Sequence, residues 1–269
     1  MDGSEIRRRS PTRLAAEYPL QIFFTLAFGI SWILFVPMVS ARAVKPPLIV
    51  AASFGPTVAA IVTHRLGAGS YRAFRFFTTS RRVIVGTMTG CVLVVIAYVV
   101  LPALVIARPD ELHWRILASP AVFNLSTLLG GPLGEEPGWR GYALPRLEER
   151  FGPLRASSMM GVLWAGWHLP LFLIPVWSSS PIWTYVVIVT GLSVILTFSV
   201  NLAGFSVIAA VAGHAAFNTV SRWLTGLLAG VEPRVQVSMV TLLALVGLGT
   251  ALLIIALTKG RLACAQQVS

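Results

Sequence analysis

Charge is scarce in this chain, and acid is scarcer than base. Charged residues make up 12% of its 269 positions, with 10 Asp and Glu against 21 Lys and Arg. A soluble domain usually carries roughly 25%, so a water-soluble globular fold is excluded. Cysteine is nearly absent too. Cys91 and Cys264 each lie in or beside an apolar run, which excludes a disulfide framework and leaves the redox compartment unread. No repeat of about 20–50 residues and no low-complexity tract is visible, so a solenoid is excluded. A basic domain is missing as well. The net charge of +11 is scattered through short loops, which argues against a nucleic-acid partner and for membrane topology and anionic-lipid contact. The apolar run after Arg7, Arg8, Arg9 and Arg13 is too long for a signal-peptide core and lacks an Ala-x-Ala-like site, so no cleaved leader is expected.

What remains is apolar. Hydrophobic residues make up 56% of the chain, and the mean hydropathy is +0.79. A span needs about 20 such residues. Eight runs qualify, near 19–40, 46–66, 82–106, 117–147, 154–175, 182–200, 203–223 and 237–258. The expected fold is an all-α polytopic membrane bundle of about eight helices. The sixth and seventh runs are separated by little but Asn201 and Gly204, yet fused they would be far too long for one span.

The bases set the orientation. With the N-terminus inside, the inner set is Arg7, Arg8, Arg9, Arg13, Arg65, Arg72, Arg75, Arg81, Arg82, Arg140, Arg146, Arg150, Arg155, Lys259 and Arg261; the outer set is Arg42, Lys45, Arg108, Arg115, Arg222 and Arg234. That bias favours both termini in the cytoplasm. The layout is then a basic cytoplasmic tail at 1–18, one transmembrane domain at 19–260 and a cytoplasmic tail at 261–269. The loop at 67–81 mixes Arg with aromatics and reads as an interfacial segment on anionic lipid.

Against that background the acids stand out. Asp2, Glu5, Glu17, Asp110, Glu111, Glu148, Glu149 and Glu232 fall in tails or between apolar runs, whereas Glu135 and Glu136 lie inside one. A buried carboxylate is costly unless paired or hydrated, and two adjacent charges repel. In GGPLGEEPGWRGYALPRLEERFG, Glu136 and Arg140 are four apart and share a helical face. Glu135 points about 100° away and has no obvious local partner. Six Gly and Pro between 130 and 138 predict a kink or break in the fourth helix there.

Two further polar sites follow. In VLWAGWHLPLF, Trp164 and His168 share a face; in GHAAFN, His214 and Asn218 do. Alone, the histidines read as hydrogen-bonded core residues and the last pair as helix glue. Together, a carboxylate, two imidazoles and an amide form a set able to hydrolyse an amide bond. A glutamate or histidine can take a proton from water, and a histidine and an asparagine can donate to the oxyanion. Glu135, His168 and His214 are also ligand types for Zn, so a metal-bound water is a second route to the same nucleophile. No His-Glu-x-x-His helix is present. A proton-coupled transporter and a non-catalytic scaffold of the bacteriocin-immunity type are the competing classes; no inverted repeat supports the former.

Glu135-Glu136-x-x-x-Arg140, Trp164-x-x-x-His168 and His214-x-x-x-Asn218 resemble, in order, the three motifs of the CAAX prenyl endopeptidase type II family, which also contains bacteriocin-processing and self-immunity proteins. The resemblance covers about residues 120–220. It implies an intramembrane endopeptidase, glutamic or metal-dependent, with its site opening toward the cytoplasm. By position, Glu135 and His168 would activate the water, His214 and Asn218 would stabilise the oxyanion, and Glu136 and Arg140 would pair and position the site. The chain departs from the family at Trp164, where Phe is usual, and at Pro137 and Gly138 inside the first motif. The expected substrate is a peptide or membrane-anchored protein, and the expected setting a bacterial plasma membrane.

Overall fold

A computed structural model describes residues 10–67, 80–102, 128–174, 181–228 and 232–264. The tail 1–9, most of the loop 67–81, the end of the third run, residues 117–127 of the fourth run, Arg108, Arg115 and the tail 265–269 lie outside the described residues. Among the described residues the chain is helical and has no strand. The helices are α1 (Pro11–Glu17), α2 (Pro19–Ala41), α3 (Pro46–Ser53), α4 (Gly55–Gly67), α5 (Arg81–Val95), α6 (Pro132–Gly138), α7 (Leu144–Phe151), α8 (Pro153–Trp167), α9 (Ile182–Leu202), α10 (Val207–Leu227) and α11 (Pro233–Leu257). Proline opens α1, α2, α3, α6, α8 and α11, where its missing N–H leaves no helical bond unmade.

Five stretches among the described residues are long and apolar enough to cross a membrane: Pro19–Ala41, Pro46–Gly67, Arg81–Val100, Ile182–Leu202 and Pro233–Leu257. The protein is thus a helical membrane bundle; five such spans lie among the described residues, and the expected count of eight is not confirmed. The other three expected spans are the ones that carry the polar motifs. In the described part of the fourth, α6 and α7 flank an irregular turn, and α8 has only 15 residues. α10 is 21 residues long but diluted by His214, Asn218, Ser221 and Arg222. Function and hydropathy pull against each other in these segments.

α9 is the central helix. Its apolar window is 67% buried, against 28–39% for the other four, and it packs on α8, α11, α5 and α10. Lipid solvates apolar side chains as well as a neighbouring helix does, so such bundles gain from close backbone approach at small residues. A Cβ on Gly86 of α5 would lie 2.6–2.7 Å from Ala203 and the Ser199 carbonyl, and Ser199 Oγ donates to the Gly86 carbonyl at 2.7 Å. The turn from α9 to α10 runs through Gly204 and Phe205, both in the left-handed region, so the two runs around Asn201 are separate helices. Outward-facing Ile33, Val36, Ile84, Val162, Leu252 and Leu257 are exposed and form the lipid-facing surface.

The break expected near 130–138 falls at Gly130 and Gly131, which are turn residues, and α6 begins at Pro132 with Pro137 inside it. A second distortion follows as a π-helical turn over Trp139–Ala143. Pro137 has no N–H and crowds the preceding turn; widening the next turn absorbs the mismatch.

Candidate active site

α6 carries Glu135 and Glu136 to the centre of the bundle because its opposite face is glycine. Gly134 and Gly138 are four apart. A Cβ on Gly134 would lie 2.7 Å from the Ser53 backbone, and one on Gly138 would overlap Pro56. α6 therefore rests backbone to backbone on the break between α3 and α4. Thr57 Oγ1 donates to the Gly134 carbonyl at 2.6 Å, and Ser53 Oγ to the Leu129 carbonyl at 3.0 Å. In the sequence these glycines read as helix breakers; in the structure they are a small-xxx-small packing face.

The two glutamates have different partners. Arg140 Nη1 donates to both oxygens of Glu136, at 2.9 and 3.0 Å. The i,i+4 pair survives Pro137 and Gly138. Arg140 Nη2 donates to Ser193 Oγ at 3.4 Å, and Ser193 Oγ to the Ser157 carbonyl at 2.9 Å. His214 Nδ1 lies 2.8 Å from Glu136 Oε1; the carboxylate accepts, so this nitrogen carries the proton. Glu136 is fully buried and Arg140 nearly so, and in a medium of low dielectric such a pair holds only because its hydrogen bonds are made.

Glu135, which has no obvious local partner in sequence, finds one on another helix. Trp164 Nε1 donates to its Oε2 at 2.7 Å. The partner lies 29 residues downstream, beyond the reach of local spacing. The same indole takes the Arg140 guanidinium over its ring at 4.4 Å and meets the His214 ring edge-on at 4.9 Å. Trp164 therefore touches Glu135, Arg140 and His214 at once.

His168 follows the last turn of α8. Its Nδ1 lies 2.9 Å from the Trp164 carbonyl. A carbonyl only accepts, so Nδ1 bears the proton and Nε2 of the neutral ring keeps its lone pair. The ring packs against Trp167 at 4.6 Å and Tyr185 at 5.3 Å. Asn218 lies one turn beyond His214 on α10. Their juxtaposition with Glu135 is measured at Gly131: a Cβ there would be 3.0 Å from Asn218 Nδ2, 3.6 Å from Glu135 Oε1 and 3.7 Å from His214 Nε2. One acceptor and two nitrogens thus come together beside Gly131. Among the described residues no three His, Cys, Asp or Glu side chains are gathered as a metal-ion site.

Three neighbours escaped the sequence reading. Tyr185, one turn into α9, resembles any aromatic of an interfacial belt. Ser193 looks like one of many small polar residues in an apolar helix. Gly131 is hidden in a run of glycines. None carries a signal at the level of a single sequence.

The described helices thus define a polytopic membrane protein with a polar, hydrogen-bonded site in its middle. Residues 116–220, which contain all three motifs, match the model of the family described as Type II CAAX prenyl endopeptidase Rce1-like. A "CAAX prenyl protease 2" from Methanococcus maripaludis is 45% identical over 40 residues. That alignment spans 15% of this chain and 15% of the relative's length.

Proposed function

We propose that the protein is an intramembrane endopeptidase that uses a water activated by Glu135. The observation that carries this is the convergence of Glu135 Oε1, His214 Nε2 and Asn218 Nδ2 beside Gly131. A water held by these groups gives a proton to Glu135 while its oxygen attacks the peptide carbonyl carbon. His168, its tautomer fixed by the Trp164 carbonyl, orients the water through Nε2. The charge that develops on the carbonyl oxygen is met by the Asn218 amide and by Nε2 of His214, whose Nδ1 is held by Glu136. The C–N bond then breaks, and the proton on Glu135 passes to the leaving amine. Glu136 and Arg140 position the other groups.

The site opens to the cytoplasm in this reading, and both termini lie on that side, as the resemblance and the arginine bias imply. Arg146 is 11 residues beyond Glu135 in sequence, roughly 16 Å along a helix. That is about half of a ~30 Å hydrocarbon core, so water must arrive by a polar path. The substrate is a peptide or a membrane-anchored protein.

The test compares new peptide N-termini in membranes that express the wild type or Glu135→Gln. Termini made only by the wild type, with both proteins inserted at equal levels, are the expected result. Identical sets would refute the reading and favour a scaffold.

A further inference from the structure

Tyr185, near the start of α9, meets two rings edge-on: His168 at 5.3 Å and Phe172 at 5.1 Å. Phe172 belongs to the short 3-10 turn at Leu169–Leu173 that follows His168. The histidine is buried, whereas Tyr185 and Phe172 are partly exposed. The three rings therefore form a wall that runs from the site toward the surface. The Tyr185 hydroxyl lies within electrostatic reach of the Glu135 carboxylate. Among the described residues it has no hydrogen-bond partner. Tyr98, in contrast, donates to the Ile188 carbonyl at 3.3 Å. The ring contacts of Tyr185 would be served as well by phenylalanine, so packing does not account for its hydroxyl.

A peptide that reaches Glu135 leaves water behind, and each of its carbonyls left unpaired in the interior is costly. The other donors of the site are committed. Trp164 Nε1 holds Glu135, and the Arg140 fork holds Glu136 and reaches Ser193. Asn218 and His214 serve the carbonyl oxygen under attack in the proposed reaction. Arg140 Nε and Trp167 Nε1 have no partner among the described residues, but both side chains are sealed from the surface. We infer that Tyr185 is a substrate-binding residue: its phenol O–H donates to a backbone carbonyl of the bound peptide close to the scissile bond, and its ring forms, with Phe172, the wall on which the peptide lies. The inference rests on the endopeptidase reading and deepens it. The phenol oxygen is within roughly 8 Å of the His168 ring centre, and extended peptide advances about 3.3 Å per residue. The contact then falls within about two residues of the bond under attack.

The experiment uses full-length wild type, Glu135→Gln and Tyr185→Phe in lipid vesicles. The probe is a synthetic peptide that spans a cleavage site produced in membranes by the wild type and not by Glu135→Gln. Rates against peptide concentration are read beside thermal unfolding. Tyr185→Phe keeps the ring against His168 and Phe172 and removes the O–H alone. The expected result is an unchanged unfolding temperature, a KM about 10-fold higher and a kcat within about threefold of wild type, the pattern of a lost binding contact. Peptides in which one carbonyl at a time is reduced to methylene identify the acceptor: one of them should raise KM for the wild type and make no further difference to Tyr185→Phe. A KM within about twofold of wild type, or a loss confined to kcat, overturns the inference and leaves the endopeptidase reading standing. A lower unfolding temperature or poor accumulation of Tyr185→Phe shows that the hydroxyl serves the fold, and the inference falls. If no cleavage site distinguishes the wild type from Glu135→Gln, the inference and the reading beneath it fall together.

Discussion

Replacing Trp164 with Phe restores the residue usual in the resembling family, yet it should impair this protein. Phe keeps an aromatic face for Arg140, now 4.4 Å from the indole, and an edge for His214. It removes the Nε1–H that donates to Glu135 Oε2 at 2.7 Å. Glu135 is 3% exposed, so solvent does not replace the lost donor freely. A hydrogen bond to a charged group contributes about 1.5–3 kcal/mol. If that hold is needed in the transition state, cleavage should slow by about 10- to 150-fold. The freed carboxylate gains basicity, which opposes the loss. Orientation should win, because a general base must face the water before its proton affinity matters. The assay is the rate of Glu135-dependent cleavage per folded molecule, with unfolding temperature measured in parallel. A Trp164→Phe variant that folds normally and cleaves within twofold of wild type would refute the assigned role of the indole N–H.

Arg140→Lys should unfold at a lower temperature and lose cleavage together, because one ammonium cannot bridge both Glu136 oxygens, reach Ser193 and lie over Trp164; breaking such a buried pair costs about 3–5 kcal/mol. Detergent-solubilised protein melting like wild type would contradict this. In α7, beyond the membrane-spanning segments, burial pushes the Glu148 carboxyl up to about 7, against the opposing hydrogen bonds from Asn201 Nδ2 and Cys264 Sγ. The folded protein then holds a proton that the unfolded chain releases near 4.5, so this contribution is full below that pH and is lost as pH rises to about 7, on the order of 3 kcal/mol in all. Glu148→Gln should flatten the fall in unfolding temperature between pH 5 and 8, and an unchanged slope would show that another group governs it.

How far the sequence could be read depended on the range of each interaction. Glu136 and Arg140 were visible as a pair because helical spacing is local, and His214 with Asn218 for the same reason. The separation of α9 from α10 was legible because about 40 apolar residues exceed one span. The Trp164–Glu135 and His214–Glu136 bonds were not legible, since they join residues 29 and 78 apart whose approach depends on tertiary packing. The glycines between 130 and 138 were read through backbone propensity alone. Their role in backbone-to-backbone contact depends on Ser53 and Pro56, some 80 residues earlier (Ser53 to Gly134). Eight spans were counted from apolar runs, and five helices meet that standard among the described residues. A helix that carries a polar site is by that fact less apolar.

The buried network also has a charge logic that helix packing does not require. Replacing a buried ion pair by apolar groups is often neutral or stabilising, so Glu136, Arg140 and His214 are an expensive way to join three helices. They do join the groups beside Gly131. Glu136 accepts from Nδ1 of His214; Arg140 donates to Glu136 and lies over Trp164; Trp164 donates to Glu135. In the proposed reaction Glu135 takes a proton from water and its negative charge moves to the carbonyl oxygen, only a few ångströms away. Arg140 stays beside Glu136 throughout, so the proposed step carries no net charge into or out of the low-dielectric interior. A single buried carboxylate with no fixed cation beside it would lack that balance.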